Sequence, residues 1–252
     1  IPNEIFLKNI HIKIKGVAME LFIGNKNYSS WSLRPWLLMK HFDLPFTERM
    51  VGVAGRGPND LHRGYSQNGL VPCLHLENEF QIWDTLAIAE FLAESFPAKH
   101  LWPADRLARA RARSVSAEMH SGFGSLRGAM GMNIKMRLQG APLSAEVASD
   151  VARIDQIWTE ARRQFGASSD QPYLLGAFSV ADAMFAPVIW RFHSYNVPEH
   201  AELSDESRAY LATMLAHPAM QAWERSALAE TEALAHYDTA ALANFGGVRS
   251  VE

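Results

Sequence analysis

The sequence has very little cysteine and no long hydrophobic run. Its 252 residues include a single cysteine, Cys73. One cysteine cannot form an internal disulfide or a Cys-x-x-Cys redox centre, and it supplies too few thiolates for a cysteine-built zinc site. Every apolar stretch is interrupted well before the ~20 residues that a membrane-spanning helix needs. We therefore expect a soluble protein of a reducing compartment, which we interpret as the cytoplasm.

The chain also lacks a large excess of charge of either sign. It has 24 Lys and Arg residues against 27 Asp and Glu residues, a formal net charge of −3. Nucleic-acid binders usually carry a basic surplus, so we expect no nucleic-acid partner. None of the 10 histidines pairs with another at a spacing of three or four residues, and we predict no metal site. A small molecule or another protein is the default partner.

Hydrophobic patterning divides the chain into two halves. Over residues 19–98, strand-like runs alternate with helical ones, which is typical of an α/β domain. Over residues 105–240, apolar residues recur at steps of three and four, which predicts helices only. We expect a linker at residues 99–104, a tail at 241–252, and a disordered extension at 1–18 that is a cloning remnant or an upstream start.

The first half is predicted to follow the order βαβαββα. Its predicted strands cover residues 20–23, 46–51, 73–76 and 80–83, and its predicted helices cover 32–42, 58–63 and 86–96. In the second half, one apolar face runs without interruption over residues 115–130, and the last predicted helix covers 220–235. The sequence thus predicts an α/β domain followed by an all-α domain.

Three serines crowd the start of the first predicted helix, in the stretch Tyr-Ser-Ser-Trp-Ser-Leu-Arg at residues 28–34. Serine is a preferred helix N-cap, so capping is one interpretation. Alternatively, a hydroxyl and the free N–H groups at the positive end of the helix hold a thiolate. Such sites lower a thiol pKa from ~8.5 into the range ~3.5–7.5.

A proline directly precedes the third predicted strand, in the stretch Gly69-Leu70-Val71-Pro72. Proline is excluded from a central strand ladder, so a turn is required here. Both a cis Val71–Pro72 bond and an ordinary trans proline at a strand edge satisfy this requirement. In the cis case, the N–H and C=O of Val71 point outward and can pair with an extended peptide.

Asp84 and Thr85 lie where the fourth predicted strand turns into a helix. Capping is again one interpretation. The other is that the helix N–H groups and the Thr85 hydroxyl bind a substrate carboxylate while Asp84 pairs with an ammonium group. Two helix starts and an exposed strand edge would then form one cleft.

These motifs, in this order, resemble the glutathione S-transferase family from residue 19 to about residue 237. The resemblance implies a thioredoxin-like domain followed by a helical bundle, a homodimer, and glutathione as co-substrate. It implies that Ser29 or Ser30 activates the glutathione thiol. It further implies that glutathione is bound by Trp31, Leu33, Val71, Pro72, Asp84 and Thr85.

The serine stretch is similar to the Ser-Ser-Cys-x-x-Arg signature of the zeta class, some members of which isomerise maleylacetoacetate. Trp31 stands where that class has cysteine, so the isomerase activity stays open. The zeta class assigns thiol activation to the first serine, Ser29, whereas the spacing in theta-like relatives selects Ser30, which we favour. Asp84-Thr85 also departs from the family's Glu/Gln-Ser pair, with similar chemistry and a shorter reach.

The pocket for the electrophile is expected between the two halves, lined by Met119, Phe123 and Arg127. Methionine suits a pocket for varied apolar ligands, but a methionine stripe at helical spacing can equally be core. Three loop residues are candidates for binding the glycyl carboxylate of glutathione, or are simply solvated: Arg56, His62 and Arg63. A capping box is expected at Ser179 and Asp182, as in the family.

The predicted function is therefore conjugation of glutathione to an electrophilic small molecule, as in detoxification. The alternatives are a zeta-like isomerase, a glutathione-dependent peroxidase, and an interaction protein that has kept the fold without the activity. Cys73, which follows Pro72, is interpreted as a small buried residue.

Overall fold

The computed structural model describes residues 18–51, 64–77, 80–166 and 170–248. The elements of the first half are β1 Glu20–Ile23, α1 Ser30–His41, β2 Thr47–Met50, β3 Cys73–His75, β4 Gln81–Trp83 and α2 Thr85–Ser95. The second half contains α3 Arg106–Ser121, α4 Gly124–Ala129, α5 Ala145–Ala161, α6 Val180–Ser194, α7 Asp205–Ala216, α8 Pro218–Ala229 and α9 Ala235–Phe245. In these parts of the chain, no helix is long and apolar enough to cross a membrane.

The four strands form one mixed sheet in the order β2-β1-β3-β4. β1 pairs parallel with β2 and antiparallel with β3, and β3 pairs antiparallel with β4. Because side chains alternate along a strand, Leu21 and Ile23 of β1 enter the main core, while Phe22 packs with Val51 and Cys73 on the other face. A mixed sheet followed by a helical region confirms the predicted fold class, and the helix predicted at residues 58–63 lies outside the described residues.

Helix α1 joins the sheet to the helical half. Its apolar side chains, including Leu33 and Leu37, are fully buried in the main core. Arg34 is also buried and donates from Nε to the carbonyl oxygen of Met184 in α6 at 2.9 Å. Lys40 lies in the last turn, where its positive charge complements the helix dipole. The start of α1 is thereby held against the centre of the molecule.

Helix α6 is the central helix of the second half, and it begins with the predicted capping box. The backbone N–H of Ser179 donates to Asp182 at 2.8 Å, and the Ser179 hydroxyl accepts from the backbone of Ala181 at 3.3 Å. The N–H of Leu174 and the hydroxyl of Tyr210 also donate to Asp182, each at 3.0 Å. The capping box is therefore confirmed.

The prediction of one uninterrupted helical face over residues 115–130 is wrong. Helix α3 ends at Ser121, and Phe123 adopts a φ of +57°, which starts α4 in a new direction. Arg127 stabilises the break, because its Nη1 donates to the carbonyl oxygens of His120 and Gly122. These two carbonyls lie at the end of a helix and would otherwise lack partners.

The helix predicted over residues 220–235 is also interrupted. Helix α8 ends at Ala229, and residues 230–234, which we call the strap, lead to α9, which continues to Phe245. The strap packs against the loop between β1 and α1. The Glu230 carboxylate accepts hydrogen bonds from the N–H groups of Lys26 at 2.7 Å and Asn27 at 3.1 Å. A tertiary contact thus replaces the continuing helix.

Candidate active site

The two serines at the start of α1 have different hydrogen bonds. Ser29 Oγ donates to Ser32 Oγ at 2.7 Å, and Ser32 Oγ also accepts from the N–H of Gly24 at 3.1 Å. The Ser29 hydroxyl hydrogen is thus used inside the protein. The half-buried Ser30 forms no side-chain hydrogen bond with any described residue. Of the pair, Ser30 has the hydroxyl that can donate to a ligand.

Backbone donors lie beside the Ser30 hydroxyl. The N–H groups of Trp31 and Ser32, in the first turn of α1, form no hydrogen bond with the described residues, whereas that of Leu33 donates to the Ser29 carbonyl at 3.2 Å. Free N–H groups at the positive end of a helix attract anions. The Leu33 side chain is fully buried, so it holds the helix in place and does not line the surface.

The turn before β3 lies against the same loop. The Val71–Pro72 bond is cis, one of the two alternatives considered for this turn. The N–H and C=O of Val71 form no hydrogen bond with the described residues. Gly24 lies between this turn and the serines, since a Cβ added there would be 3.2 Å from both Ser29 Oγ and Val71 Cγ2. An extended peptide paired with Val71 would therefore pass close to the start of α1.

Asp84 occupies a strained position at the start of α2. Its φ of +72° is unusual for a residue other than glycine, and such conformations cost about 1–3 kcal/mol and cluster at ligand sites. One carboxylate oxygen caps α2 by accepting from the N–H of Leu86 at 2.8 Å. The other accepts from Nε2 of His120 at 2.7 Å. One side chain thus caps α2 and accepts a hydrogen bond from the end of α3.

Thr85 links α2 to α1 through a carbonyl that a proline has left unpaired. Pro35 has no N–H to donate to the carbonyl oxygen of Trp31 one turn earlier. The Thr85 hydroxyl donates to that oxygen at 3.2 Å, and the Thr85 side chain is buried. The hydroxyl therefore faces the protein, and the backbone N–H is what Thr85 presents to a ligand.

The Trp31 ring lies where three helices meet, α1, α3 and α4. The guanidinium of Arg34 lies over this ring at 4.2 Å from its centroid, and that of Arg127 at 4.9 Å. The His120 ring from the end of α3 is 5.2 Å away. His120 was not predicted from the sequence, because its spacing to the other motifs carries no signal.

The residues predicted to line the second-substrate pocket separate into two groups. Met119 and Phe123 are buried in the hydrophobic core, because α3 packs its apolar face against α6. Arg127 instead lines a cavity of about 420 Å³ bounded by α4, the end of α6 and α9. The predicted loop residues Arg56, His62 and Arg63 lie outside the described residues.

The C-terminal helix α9 packs against the loop that leads into α1. The hydroxyl of Tyr28 donates to Asp238 at 3.0 Å and accepts from the N–H of Leu234 at 3.1 Å. The ring of Tyr28 stacks on that of Tyr237 at 5.8 Å. Tyr237 also lines the cavity, which is thus adjacent to the start of α1.

Comparisons with known proteins identify the family of the chain. Residues 28–95 match the family described as glutathione S-transferase, N-terminal domain, and residues 144–226 match its C-terminal domain. A maleylacetoacetate isomerase of Pseudomonas aeruginosa is 26% identical over 218 residues, which cover 81% of this chain and 97% of that protein.

Solved structures show the same fold. A glutathione transferase homologue from a Burkholderia species, with bound glutathione, has 22% identity and a TM-score of 0.60, covering 84% of this chain and 99% of its own. A glutathione transferase from Methylococcus capsulatus has 23% identity and a TM-score of 0.57, covering 83% and 98%. With both characteristic domains matched in order, the chain belongs to the glutathione S-transferase family.

Proposed function

We propose that this protein is a glutathione transferase that activates the glutathione thiol at the start of α1 for attack on an electrophilic small molecule. The observation that carries the proposal is the Ser30 hydroxyl, which lies beside the N–H groups of Trp31 and Ser32 without a partner among the described residues. A thiolate at this point would receive hydrogen bonds and face the positive end of the helix dipole.

Glutathione would lie along the surface between the two helix starts. Its cysteinyl backbone would pair with the N–H and C=O of Val71, as an added strand does. Its γ-glutamyl carboxylate would accept from the N–H of Thr85 at the start of α2, and its ammonium group would approach Asp84. This placement puts the thiol at the start of α1, close to Ser29 and Ser30.

The chemistry is thiolate stabilisation followed by nucleophilic attack. The thiol loses its proton to solvent, the sulfur forms a bond to the electrophilic carbon, and a leaving group departs or a double bond is saturated. Each unit by which the site lowers the thiol pKa corresponds to about 1.4 kcal/mol in favour of the thiolate. The serine acts as a hydrogen-bond donor and forms no covalent bond.

A glutathione-dependent isomerase is the second candidate. The 26% identity to a maleylacetoacetate isomerase over 97% of that protein's length favours it. Both activities need the same thiolate, but an isomerase regenerates glutathione after each turnover. Consumption of glutathione during the reaction distinguishes the two, since a transferase removes one thiol for each product formed.

The proposal also covers the oligomeric state, the location and the domain boundary of the protein. We propose a homodimer in the cytoplasm, as is typical of the family, with glutathione and a small electrophile as its ligands. We also propose that the thioredoxin-like domain ends near residue 98 and the helical domain begins near residue 105. Sedimentation equilibrium tests the dimer, and limited proteolysis tests the boundary.

The experiment is an ultraviolet difference titration with glutathione near neutral pH. A thiolate absorbance that saturates at one ligand per chain is expected. The Ser30→Ala variant should lose most of this signal while keeping its affinity for glutathione, and Ser29→Ala is the matched control that removes a hydroxyl already bonded to Ser32. Loss in Ser29→Ala alone would move the assignment by one residue, and an absence of glutathione binding would overturn the proposal.

A further inference from the structure

Two buried arginines near the start of α1 form no ion pair with a carboxylate of the described residues. Arg34 is 1% exposed and Arg191 is 4% exposed. Arg34 donates to the carbonyl oxygens of Met184 and Ser30, each at 2.9 Å. Arg191 donates from Nε to the carbonyl oxygen of Met130 at 2.7 Å, and its buried Nη1 has no hydrogen-bond partner in the described structure.

Arg127 adds a third guanidinium to this region, and we refer to Arg34, Arg127 and Arg191 as the arginine cluster. Burial, and then repulsion from the nearby Arg127, lower the pKa of Arg191 to about 10. Burial, and then repulsion from Arg191 and Arg127, lower the pKa of Arg34, while the charge of Asp84 opposes this shift. A pKa of about 10 leaves Arg191 protonated at neutral pH. The cluster therefore concentrates positive charge in a region shielded from water.

The acidic side chains near the cluster form their hydrogen bonds with groups outside it. Asp84 accepts from Leu86 and His120, and Asp238 accepts from Tyr28 and from Asn133 Nδ2 at 2.7 Å. No ion pair joins Arg34 or Arg191 to a carboxylate in the part of the chain that the structure describes.

Tyr195 does not supply the missing negative charge. Its hydroxyl donates to the carbonyl oxygen of Gly131 at 2.8 Å. Burial raises the pKa of Tyr195 to about 12, so this side chain is neutral at physiological pH. Charges in a low-dielectric interior are screened weakly. The positive potential of Arg191, which forms no ion pair with the described residues, therefore extends into neighbouring space.

That space is the cavity of about 420 Å³ beside α9. Arg127 lines it directly, and so do Gly131, Tyr195 and Tyr237. Arg191 lies behind this wall, because its Nε is bonded to the carbonyl of Met130, the neighbour of Gly131. The cavity volume is within the range typical of small-molecule sites.

We infer that this cavity binds the carboxylate of an anionic electrophile and holds its reactive carbon towards the thiol at the start of α1. The inference rests on the proposed transferase function and adds the chemical class of the second substrate. A neutral apolar ligand would leave the positive charge of Arg191 uncompensated, whereas a carboxylate supplies the missing counter-charge.

A matched pair of probes tests the inference by binding. The probes are 4-chloro-3-nitrobenzoate and its neutral analogue 4-chloro-3-nitrobenzamide, which have nearly the same shape. Binding is measured by calorimetry with saturating S-methylglutathione, which cannot react and which occupies any site for the carboxylates of glutathione itself. We expect the carboxylate to bind at least ten times more tightly than the amide. Equal affinities would overturn the inference.

Three variants locate the effect. Arg127→Gln, at the cavity wall, should reduce the preference for the carboxylate several-fold. Arg191→Met should abolish it, and its melting temperature is measured beside that of the unmodified protein, because the Met130 carbonyl loses its donor. Arg163→Gln is the control, since it removes one charge from an exposed arginine paired with Glu206. A preference that survives both Arg127→Gln and Arg191→Met would place the anion elsewhere and overturn the inference.

Turnover separates this inference from the proposed function. In the reaction with either probe, the glutathione sulfur forms a bond to the ring carbon, the carbon–chlorine bond breaks, and chloride and the thiol proton leave. Conjugation of the amide at a rate equal to that of the benzoate would support a transferase while refuting anion selection. Tighter binding of the benzoate with no conjugation of either probe would support the anion site while refuting the proposed function.

Discussion

A pair of neutral histidines connects α1 to the start of α8. Nδ1 of His41 and Nε2 of His217 are 2.8 Å apart. The N–H of Ala219 donates to Nδ1 of His217 at 3.1 Å, so that nitrogen carries no proton and Nε2 must be the donor to His41. The ring of Phe178 stacks on His41 at 4.0 Å. Protonating His41 on Nδ1 would therefore break the bond within the pair.

The structure sets the sign and size of the resulting acid sensitivity. Burial, and then the neighbouring His217, lower the pKa of His41 from 6.5 to about 4. Because the folded state binds this proton less tightly than the unfolded state, stability is lost as pH falls from about 6.5 towards 4. By linkage, the free energy of unfolding at pH 5 is lower than at pH 7.5 by at most about 2 kcal/mol from this group. Partial contact of the pair with water reduces this to about 1–2 kcal/mol.

The total pH profile also contains an opposing contribution from Asp182. Burial raises the pKa of Asp182 from 3.8 to about 6, so this carboxyl favours folding at low pH and loses its contribution as pH rises through 6. As the pH falls from 7.5 to 5, Asp182 increases the free energy of unfolding by about 1 kcal/mol. In the unmodified protein, the total change in stability with pH is therefore smaller than the loss caused by protonation of His41 alone.

The assay therefore compares variants. Urea denaturation of the unmodified protein and of His41→Gln is measured near pH 7.5 and near pH 5. Between pH 7.5 and pH 5, the free energy of unfolding should fall by about 1–2 kcal/mol more in the unmodified protein than in the variant. The contribution of Asp182 is the same in both proteins and cancels. His100→Asn is the control, because it removes an exposed histidine at a φ of +52° that asparagine tolerates. Identical losses in the unmodified protein and His41→Gln would refute the reasoning.

Three further predictions concern the site. Asp84→Ala should weaken glutathione binding by about 1.5–3 kcal/mol, the value of a hydrogen bond to a charged group, and unchanged affinity in calorimetry would remove Asp84 from the site. Gly24→Val should suppress the thiolate absorbance of bound glutathione, because even a Cβ there lies 3.2 Å from Ser29 Oγ; an unchanged signal would show that the loop adjusts. Tyr28→Phe should lower the free energy of unfolding by about 1 kcal/mol and speed amide hydrogen exchange in α9, since the hydrogen bond to Asp238 is lost. Exchange in α9 that matches the unmodified protein would contradict that contact.

Local signals were sufficient for most of the fold. The predicted first strand coincides with β1, because a short apolar run ends at Gly24, and the capping box at Ser179 marks the start of α6. The break between α3 and α4 was missed because the apolar spacing continues through Phe123 to Met130. The end of α3 is instead stabilised by a contact that apolar spacing does not reveal, the donation from the Arg127 side chain to two carbonyls at its end.

The candidate site was predictable where a motif coincides with the start of a helix. Ser30 and Asp84 belong to this class, and the link between their helices depends on another local signal, the missing N–H of Pro35. The partners that surround these motifs were not predictable. Tyr28 and Asp238 are 210 residues apart in sequence, and a single tyrosine and a single aspartate at that separation carry no pattern.

The geometry at the start of α1 therefore depends on the far end of the chain as well as on its own motif. The carboxylate of Glu230 holds the N–H groups of Lys26 and Asn27, in the loop that leads to Ser29. Nζ of Lys135 donates to the carbonyl oxygen of Glu230, which ties the same strap to the segment after α4. The serine motif alone therefore does not define the reactivity of this site. In the proposed function, the strap holds the loop that leads to the thiol site, and α9 beside it forms one wall of the cavity that we propose for the electrophile.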